Sequence, residues 1–435
     1  MEALSGHPGG LTTENRRKCE NKTTMSHPGP DTLGLYISIP FCRSKCTYCN
    51  FASGVYPASE HARYVDRLIA DLAAAPAWAA AMGVTLPTAV DSIYLGGGTP
   101  SVLSGPDMAR LFAAIRSRLS LTQDCEITVE CAPGQISDET LAAMATSGVN
   151  RVSLGVQSFI DSEAASSGRL HTRAQVLADL VRLRAAGISN INLDLLAGLA
   201  GQTLATWQES LSVLTAAATP HASIYMLEID EDSRLGRELL SGGVRYSAGL
   251  VPSDDTIARM YEVAIDQLAA AGLHQYEISN FARDPKGEAP LASRHNLRYW
   301  QRAPYLGLGL DASSMLRSAD GTVLRSTTTD DLSLYLNDQT SPETAWLDKT
   351  QQFEEAWFLG LRRNSGISLS AMTAEFGAAA MEAALAVIDR LIQDELLIQQ
   401  SGRIFLTNRG RLISNDVFQE FLGLGIEAHA VLGNA

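Results

Sequence analysis

The sequence predicts an α/β fold, a partial (β/α)6 TIM-like barrel followed by a small winged-helix-like domain. Three observations carry this. From about residue 34, short β-branched runs alternate with amphipathic helical stretches. Polar residues fall at the C-terminal ends of three of those runs, alongside a cysteine loop and a triple-glycine loop. After about residue 340 the alternation gives way to two helices, two short strands and a last helix.

The elements follow in order. Residues 1–33 are rich in Gly, Pro, Ser, Thr and Asn and read as a disordered extension. Arg16, Arg17 and Lys18 have no apolar segment after them, so a secretory signal is not expected here. The candidate strands are 35–39, 92–95, 126–129, 152–156, 190–195 and 223–227, each too short and too β-branched for a helix. The helices between them have legible ends. Thr172 and Gln175 form a capping box, Val176, Leu177, Leu180, Val181 and Leu183 mark one face, and Gly187 is a left-handed stop. Ser137 opens another helix that Gly148 closes.

Right-handed crossovers wind such units into a closed or partly closed barrel, with a doubly wound open sheet as the alternative. The barrel is preferred because Glu130, Gln157 and Asp194 sit at or near strand C-terminal ends, where barrel sites are built. The chain divides into a barrel over 34–272, a connecting segment over 273–340 and a C-terminal domain over 341–435. In the last, helices at 368–376 and 378–394 precede strands at 396–398 and 404–406. Ser401-Gly402 makes the tight turn between them, and a helix follows Thr407-Asn-Arg-Gly410.

Composition narrows the function. Hydrophobic residues make up 46% of 435, enough for a sizeable core, and the net charge is −14. That balance disfavours a nucleic-acid partner, because phosphate binding needs clustered Lys and Arg. Winged helices often bind DNA, but residues 350–435 hold six Arg or Lys against ten Asp or Glu. A packing or partner-docking role fits them better. No window approaches 18 uninterrupted apolar residues, so no transmembrane segment is expected. Of six cysteines, three lie within eight positions. One tight cluster in a long acidic chain points to a cytoplasmic, metal-binding protein rather than a disulfide framework.

That cluster is Cys42, Cys46 and Cys49, spaced C-x3-C-x2-C. Thiolates suit iron–sulfur clusters or zinc. Zinc usually takes four protein ligands from paired half-sites, and there is no second pair here, although His61 could complete a site. Three thiolates on a 4Fe-4S cubane leave the fourth iron open, and the amino and carboxylate groups of a methionine fit that vacancy. The loop Gly96-Gly97-Gly98-Thr99 follows a strand and would let backbone approach a ligand. Glu130, Gln157, Arg169 and Asp194 could supply charge-assisted contacts to a zwitterionic, ribose-bearing ligand. His295, with Tyr299 and Trp300 close by, offers an imidazole of the kind that ligates haem iron, beside flat aromatic faces.

These residues together resemble the radical S-adenosylmethionine superfamily, whose hallmark is C-x3-C-x2-C. Within it the chain is similar to the oxygen-independent coproporphyrinogen III oxidases and their relatives, the HemW-type haem chaperones. The resemblance covers roughly residues 34–425. It is carried by the stretches 36–49 and 96–100, by Glu130, and by Gly155-Val-Gln157-Ser-Phe159. Asp194-Leu-Leu-Ala-Gly198, Glu277-Ile-Ser-Asn-Phe281 and Leu406-Thr407-x-x-Gly410 complete it. Two features divide the family. The oxidases carry a further cysteine two positions after the third, where this chain has Phe51. The chaperones carry an H-N-x-x-Y-W haem-binding motif, intact here from His295 to Trp300.

The resemblance implies a haem chaperone with a 4Fe-4S cluster on Cys42, Cys46 and Cys49. S-Adenosylmethionine would meet Tyr36, Tyr48, Gly97, Gly98, Thr99, Glu130, Gln157, Arg169 and Asp194. Haem would be bound at His295 and passed to an acceptor, a respiratory haemoprotein, with possible peripheral contact with membrane proteins. Oxidative decarboxylation of coproporphyrinogen III is the alternative. There the bound S-adenosylmethionine would supply a 5′-deoxyadenosyl radical. One departure stands out: where the chaperones have G-x-G-x-x-A-H-S, this chain places Ser313 at the histidine.

Overall fold

Six parallel strands lie side by side in the order in which the chain makes them. They are β1 (Leu33–Ile39), β2 (Ala89–Gly97), β3 (Ser120–Cys131), β4 (Arg151–Gln157), β5 (Asn190–Ala197) and β6 (His221–Met226). The computed structural model describes residues 32–283 and 291–424. The expected N-terminal extension, with Cys19, lies outside the described residues except for its last two positions. Of these, Leu33 is already strand and fully buried. The strand order never reverses, so there is no switch point of the doubly wound kind, and the sheet curls as a barrel segment.

The strands are legible because parallel strands are covered on both faces. β1 reads Leu-Gly-Leu-Tyr-Ile-Ser-Ile with only Tyr36 less than fully buried. The covering helices are α1 (Ser59–Ala81), α2 (Gly105–Arg118), α3 (Asp138–Thr146), α4 (Asp161–Ser166), α5 (Arg173–Ala185), α6 (Leu204–Ala216), α7 (Arg234–Ser241) and α8 (Asp254–Ala270). The Thr172–Gln175 capping box is present at the start of α5, and Gly187 follows its end at φ +85°. The apolar face expected for α5 is narrower than its sequence suggests. Val176, Leu180 and Leu183 are buried, whereas Leu177 and Val181 are 39% and 66% exposed. Each lies one residue, about 100°, beyond a buried position, which turns it past the edge of the sheet.

The segment read as a connector carries strands of its own. β7 (Leu273–Gln275) and β8 (Asn280–Arg283) pair antiparallel beyond β6. After α9 (Arg294–Trp300), β9 (Tyr305–Leu308) pairs parallel with β1, and β10 (Ser313–Arg317) and β11 (Val323–Thr327) extend that edge. α10 (Leu332–Leu336) and β12 (Glu343–Leu347) close a sheet of 12 strands. β1 and β6 therefore face other strands and not each other, and the barrel stays open.

A second core lies in the C-terminal domain. It is built from α11 (Lys349–Leu361), β13 (Ile367–Ser368), α12 (Leu369–Phe376), α13 (Ala378–Gln393), β14 (Leu397–Gln400), β15 (Arg403–Leu406), α14 (Asn408–Leu412) and α15 (Ser414–Gln419). Ser401 and Gly402, at φ +50° and +71°, form the tight turn of the β14–β15 hairpin. The last-helix signal is displaced by one turn: Thr407 caps α14 through the amide of Gly410, so Asn408–Gly410 are inside the helix.

Candidate functional site

The cysteine loop leaves the end of β1 and is tied down on every side. Gly54 N–H donates to Pro40 O at 2.9 Å and Cys42 N–H to Gly54 O at 2.8 Å. Lys45 donates to the carbonyls of Phe51 and Ser53 at 2.9 and 3.0 Å, so its charge closes the loop. Thr47 N–H reaches Ser167 O at 3.0 Å, and Leu235 N–H at the start of α7 reaches Thr47 O at 2.8 Å. Cys42, Cys46 and Cys49 all line one cavity of about 310 Å³ at the C-terminal rim of the strands. Burial pushes the Cys42 thiol up, and the hydroxyl of Thr99, donating to its sulfur at 3.6 Å, works the other way.

The donor set fits a 4Fe-4S cluster better than zinc. A single zinc ion needs its ligands gathered round one point. Among the described residues no group of three or more His, Cys, Asp or Glu is so gathered. A cubane instead takes each thiolate on a different iron, and three thiols lining one cavity meet that need. His61 lies on α1, stacked on Phe41 at 4.1 Å.

The glycine loop packs against the cysteine loop as well as lining the cavity. Gly98 N–H donates to Ile39 O at 2.9 Å and Thr99 N–H to Phe41 O at 2.8 Å. A Cβ at Gly98 would stand 2.7 Å from Ile39 O, and Gly97 sits at φ +92°. The absence of side chains thus lets the two loops lie backbone to backbone.

Deeper in the cavity the strand ends converge. Tyr94 donates to Glu130 at 2.7 Å. Asp194 accepts from Ser153 at 2.9 Å and from Asn192 at 2.6 Å. Arg169 donates to Tyr48 at 3.1 Å, while its Nε is buried with no hydrogen-bond partner. Gln157 ends β4 at φ +66°, a conformation uncommon without glycine. Burial raises the Glu130 carboxyl to about 7; the Tyr94 bond and the Arg169 and Arg151 charges oppose the rise, and Asp194 adds to it. Burial also raises Asp194. Carboxylates, an orphaned guanidinium nitrogen and loop backbone around one space suit a ligand bearing ammonium, carboxylate and hydroxyl groups.

Of the residues expected at this site, Tyr48, Gly97, Gly98, Thr99, Glu130, Gln157, Arg169 and Asp194 line the cavity with the cysteines. Tyr36 is not among the lining residues; its ring stands behind Tyr94, 6.3 Å away. Sequence reading missed Tyr94, Arg151, Ser153, Asn192, Tyr225 and Asn296, which line the cavity too. Strand alternation carries a signal for two of them, since Asn192 precedes Asp194 by two and Ser153 precedes Gly155, itself in the lining, by two.

His295 is placed differently from an open haem ligand. It is 1% exposed on α9, its Nδ1 lies 3.1 Å from Ser92 Oγ, and its Nε2 lies 2.9 Å from the Tyr299 hydroxyl. Burial, joined by the Arg298 and Arg151 charges, lowers it to about 3, so the ring is neutral. Both ring nitrogens are engaged, and an iron can reach Nε2 only if the Tyr299 bond opens. Its neighbour Asn296 is the motif residue that lines the cavity. Ser313 is exposed on β10, 3.0 Å from Thr327 Oγ1, and is not a lining residue. Phe51 is 63% exposed at the cavity mouth.

Comparison with known proteins agrees with this geometry. Residues 36–214 match the model of the Radical SAM superfamily, and residues 347–413 match the HemN C-terminal domain. The heme chaperone HemW of Lactococcus lactis is 34% identical over 391 residues, spanning 89% of this chain and 96% of that one. HemW of Escherichia coli is 36% identical over 301 residues, spanning 68% and 74%. The solved structure of coproporphyrinogen III oxidase (HemN) from Escherichia coli shares the fold. Its TM-score is 0.75 at 21% identity, covering 90% of each chain.

Proposed function

The chain belongs to the radical SAM superfamily and, within it, to the family of the heme chaperone HemW, and from that premise we propose that it binds haem and transfers it to an acceptor protein. Cys42, Cys46 and Cys49 hold a 4Fe-4S cluster, and S-adenosylmethionine occupies the remainder of the cavity against Tyr48, Gly97, Gly98, Thr99, Glu130, Gln157, Arg169 and Asp194. Tyr36 acts from behind, through Tyr94. His295 serves as an axial haem ligand by exchanging its bond to Tyr299 for iron.

The observation that carries the reading is Phe51. The oxidases place a further cysteine at that position, and here an apolar ring stands 63% exposed at the cavity mouth. Among the described residues no helix is long and apolar enough to cross a membrane. We place the protein in the cytoplasm, with a respiratory haemoprotein as acceptor and peripheral contact with membrane proteins. Support for the cytoplasmic placement is the acidic chain and its clustered thiols, free of disulfides among the described residues.

The test is anaerobic reconstitution followed by haem titration and mixing with a haem-free acceptor, read in the Soret band. Haem uptake and then transfer are expected. Failure to bind haem with an intact cluster would overturn the proposal, and conversion of coproporphyrinogen III by the reduced protein would overturn it in favour of the oxidase.

A further inference from the structure

Six arginines gather outside the cavity, where β9–β11 meet the C-terminal domain. They are Arg302, Arg317, Arg325, Arg362, Arg363 and Arg403, and all are partly buried. In a chain of net charge −14 this grouping calls for a reason, because guanidinium groups repel one another and lose hydration when buried together. The group is contiguous. Arg317 donates to Arg302 O at 3.1 Å. Arg302 grips Glu375 at 2.8 and 2.6 Å and lies over the Phe376 ring. Arg403 donates to Ser365 O and Gly366 O at 2.7 and 2.8 Å, in the turn that follows Arg363.

Carboxylates answer only half of this charge. Arg302 has Glu375, Arg325 has Glu355 at 2.8 Å, and Arg362 has Glu277 at 4.0 Å. Among the described residues, Arg317, Arg363 and Arg403 have no such partner. Burial lowers Arg363 to about 10, with the charges of Arg403 and Arg302 pushing the same way. The seam also holds unfilled hydrogen-bond capacity. Arg363 Nε, Asn364 Oδ1 and Trp300 Nε1 are buried without a partner. Arg362 lies 4.4 Å from the centre of the Trp300 ring, so one wall of the seam is aromatic.

Interdomain cement would use arginines matched by carboxylates, and three of the six are matched in that way. The surplus and the unfilled donors suit an incoming ligand that carries carboxylates, and the Trp300 face that Arg362 now covers suits one that is also planar and can take its place. Guanidinium is well matched to that task because it binds a carboxylate through two parallel N–H bonds.

We infer that this seam receives the propionate carboxylates of haem, Arg317 and Arg363 taking the charge and the macrocycle replacing Arg362 against Trp300. This rests on the proposed haem-binding function and locates the ligand's polar edge within it.

The experiment uses the full-length, cluster-reconstituted protein in one detergent buffer, titrated with haem and with its dimethyl ester. The variants are Arg317→Gln, Arg363→Gln and the double variant. Arg317→Lys keeps the charge without the fork, and Arg390→Gln, an exposed residue paired with Glu420, is the control. Wild type should bind haem at least about tenfold more tightly than the ester. Each glutamine variant should lose about that factor for haem and nothing for the ester, and Arg317→Lys should fall between. Cluster absorbance and Tm should match wild type, which separates lost binding from lost folding. Equal affinity of wild type for haem and ester, or unchanged haem affinity in the double variant, overturns the seam. Absence of haem binding by wild type overturns the proposed function and the seam with it.

Discussion

Glu130 offers a quantitative check on the cavity. Its carboxyl is raised from the usual 4.5 to about 7, chiefly by burial. The sign follows from which state holds the proton. The folded protein keeps Glu130 protonated at pH values where the unfolded chain has released it. The folded state is therefore undisturbed below about pH 4.5 and is penalised increasingly as pH rises towards 7. With those two values the penalty grows by about 2–3 kcal/mol between about pH 5 and about pH 8, and then levels off. Glu130→Gln removes the titration while keeping an oxygen to accept from Tyr94, now at 2.7 Å. Urea denaturation of the cofactor-free protein is the assay, run on both forms across that range. The variant should gain stability relative to wild type as pH rises, by about 2–3 kcal/mol in total. Asp194 titrates in both proteins, and its coupling to Glu130 is part of the difference measured. S-Adenosylmethionine in the cavity should flatten the wild-type profile by giving the carboxylate new donors. Parallel profiles for the two proteins would refute the picture of a desolvated Glu130.

Four further outcomes are expected. Replacing Cys42, Cys46 or Cys49 with Ala should abolish the cluster's visible absorbance after anaerobic reconstitution, whereas Cys125→Ala, buried away from the loop, should leave it intact. Gly98→Ala presses a methyl against three backbone atoms within 3.0 Å and should cost about 1–3 kcal/mol by denaturation and impair reconstitution. Gly249→Ala, with nothing within 4 Å, should change stability by less than about 0.5 kcal/mol. His295→Ala strands the hydroxyl of Tyr299, leaves Ser92 Oγ with only its bond from Arg298 Nε, and opens a void, so its chemical denaturation should report a loss of about 2–4 kcal/mol at neutral pH. Because His295 sits at about 3 in the fold, wild type should lose stability as pH falls below about 6.5, and the variant should be less acid-sensitive.

How much of this was written in the sequence depends on what each element buries. β1, β2, β4 and β5 are covered on both faces, so they read as apolar runs, and their helices carry caps such as Thr172 and Ser137 whose side chains bond the expected amides. The region 273–340 was read as a connector, yet it builds β7–β11. Those strands have three to five residues each and include Arg, Ser, Gln and Asn. At that length neither period 2 nor a continuous apolar run can declare itself. The site shows the same division. Cysteine spacing and glycine clustering are local patterns. Tyr94 lies inside a strand and became visible only when neighbouring strands brought it to the cavity, whereas Asn192 and Ser153 share a strand face with Asp194 and Gly155 and were legible by alternation. His295 was legible as chemistry but not as environment, because burial by Tyr36, Tyr94 and Tyr299 is a long-range property.

The short helix α9 explains why one motif can touch two places at once. Seven residues make two turns, and steps of about 100° fan the side chains in different directions. Ser293 caps the helix by accepting from Asn296 N–H, and Glu126 accepts the Arg294 and His295 amides, which fixes its first turn against β3. From that anchor Asn296 faces the cofactor cavity. Arg298, fully buried, is bound to Asp91 and to Pro304 O at 2.7 Å, which pins α9 to β2. Tyr299, four residues after His295, returns to the same face and holds the imidazole. Trp300 looks outward to the arginine seam. A ligand that drew Tyr299 away from His295 would therefore pull on a helix whose neighbouring residue lines the cluster cavity. Removing the pin tests that coupling. Arg298→Met leaves Asp91 buried and unpaired and should cost about 3–5 kcal/mol. If the helix transmits strain, cluster absorbance and haem affinity should fall together while Cys42, Cys46 and Cys49 are untouched. A variant of equal instability made in the second core, such as Ile388→Ala, should leave the cluster as it is. Matching cluster losses in the two variants would show that α9 is merely part of the packing.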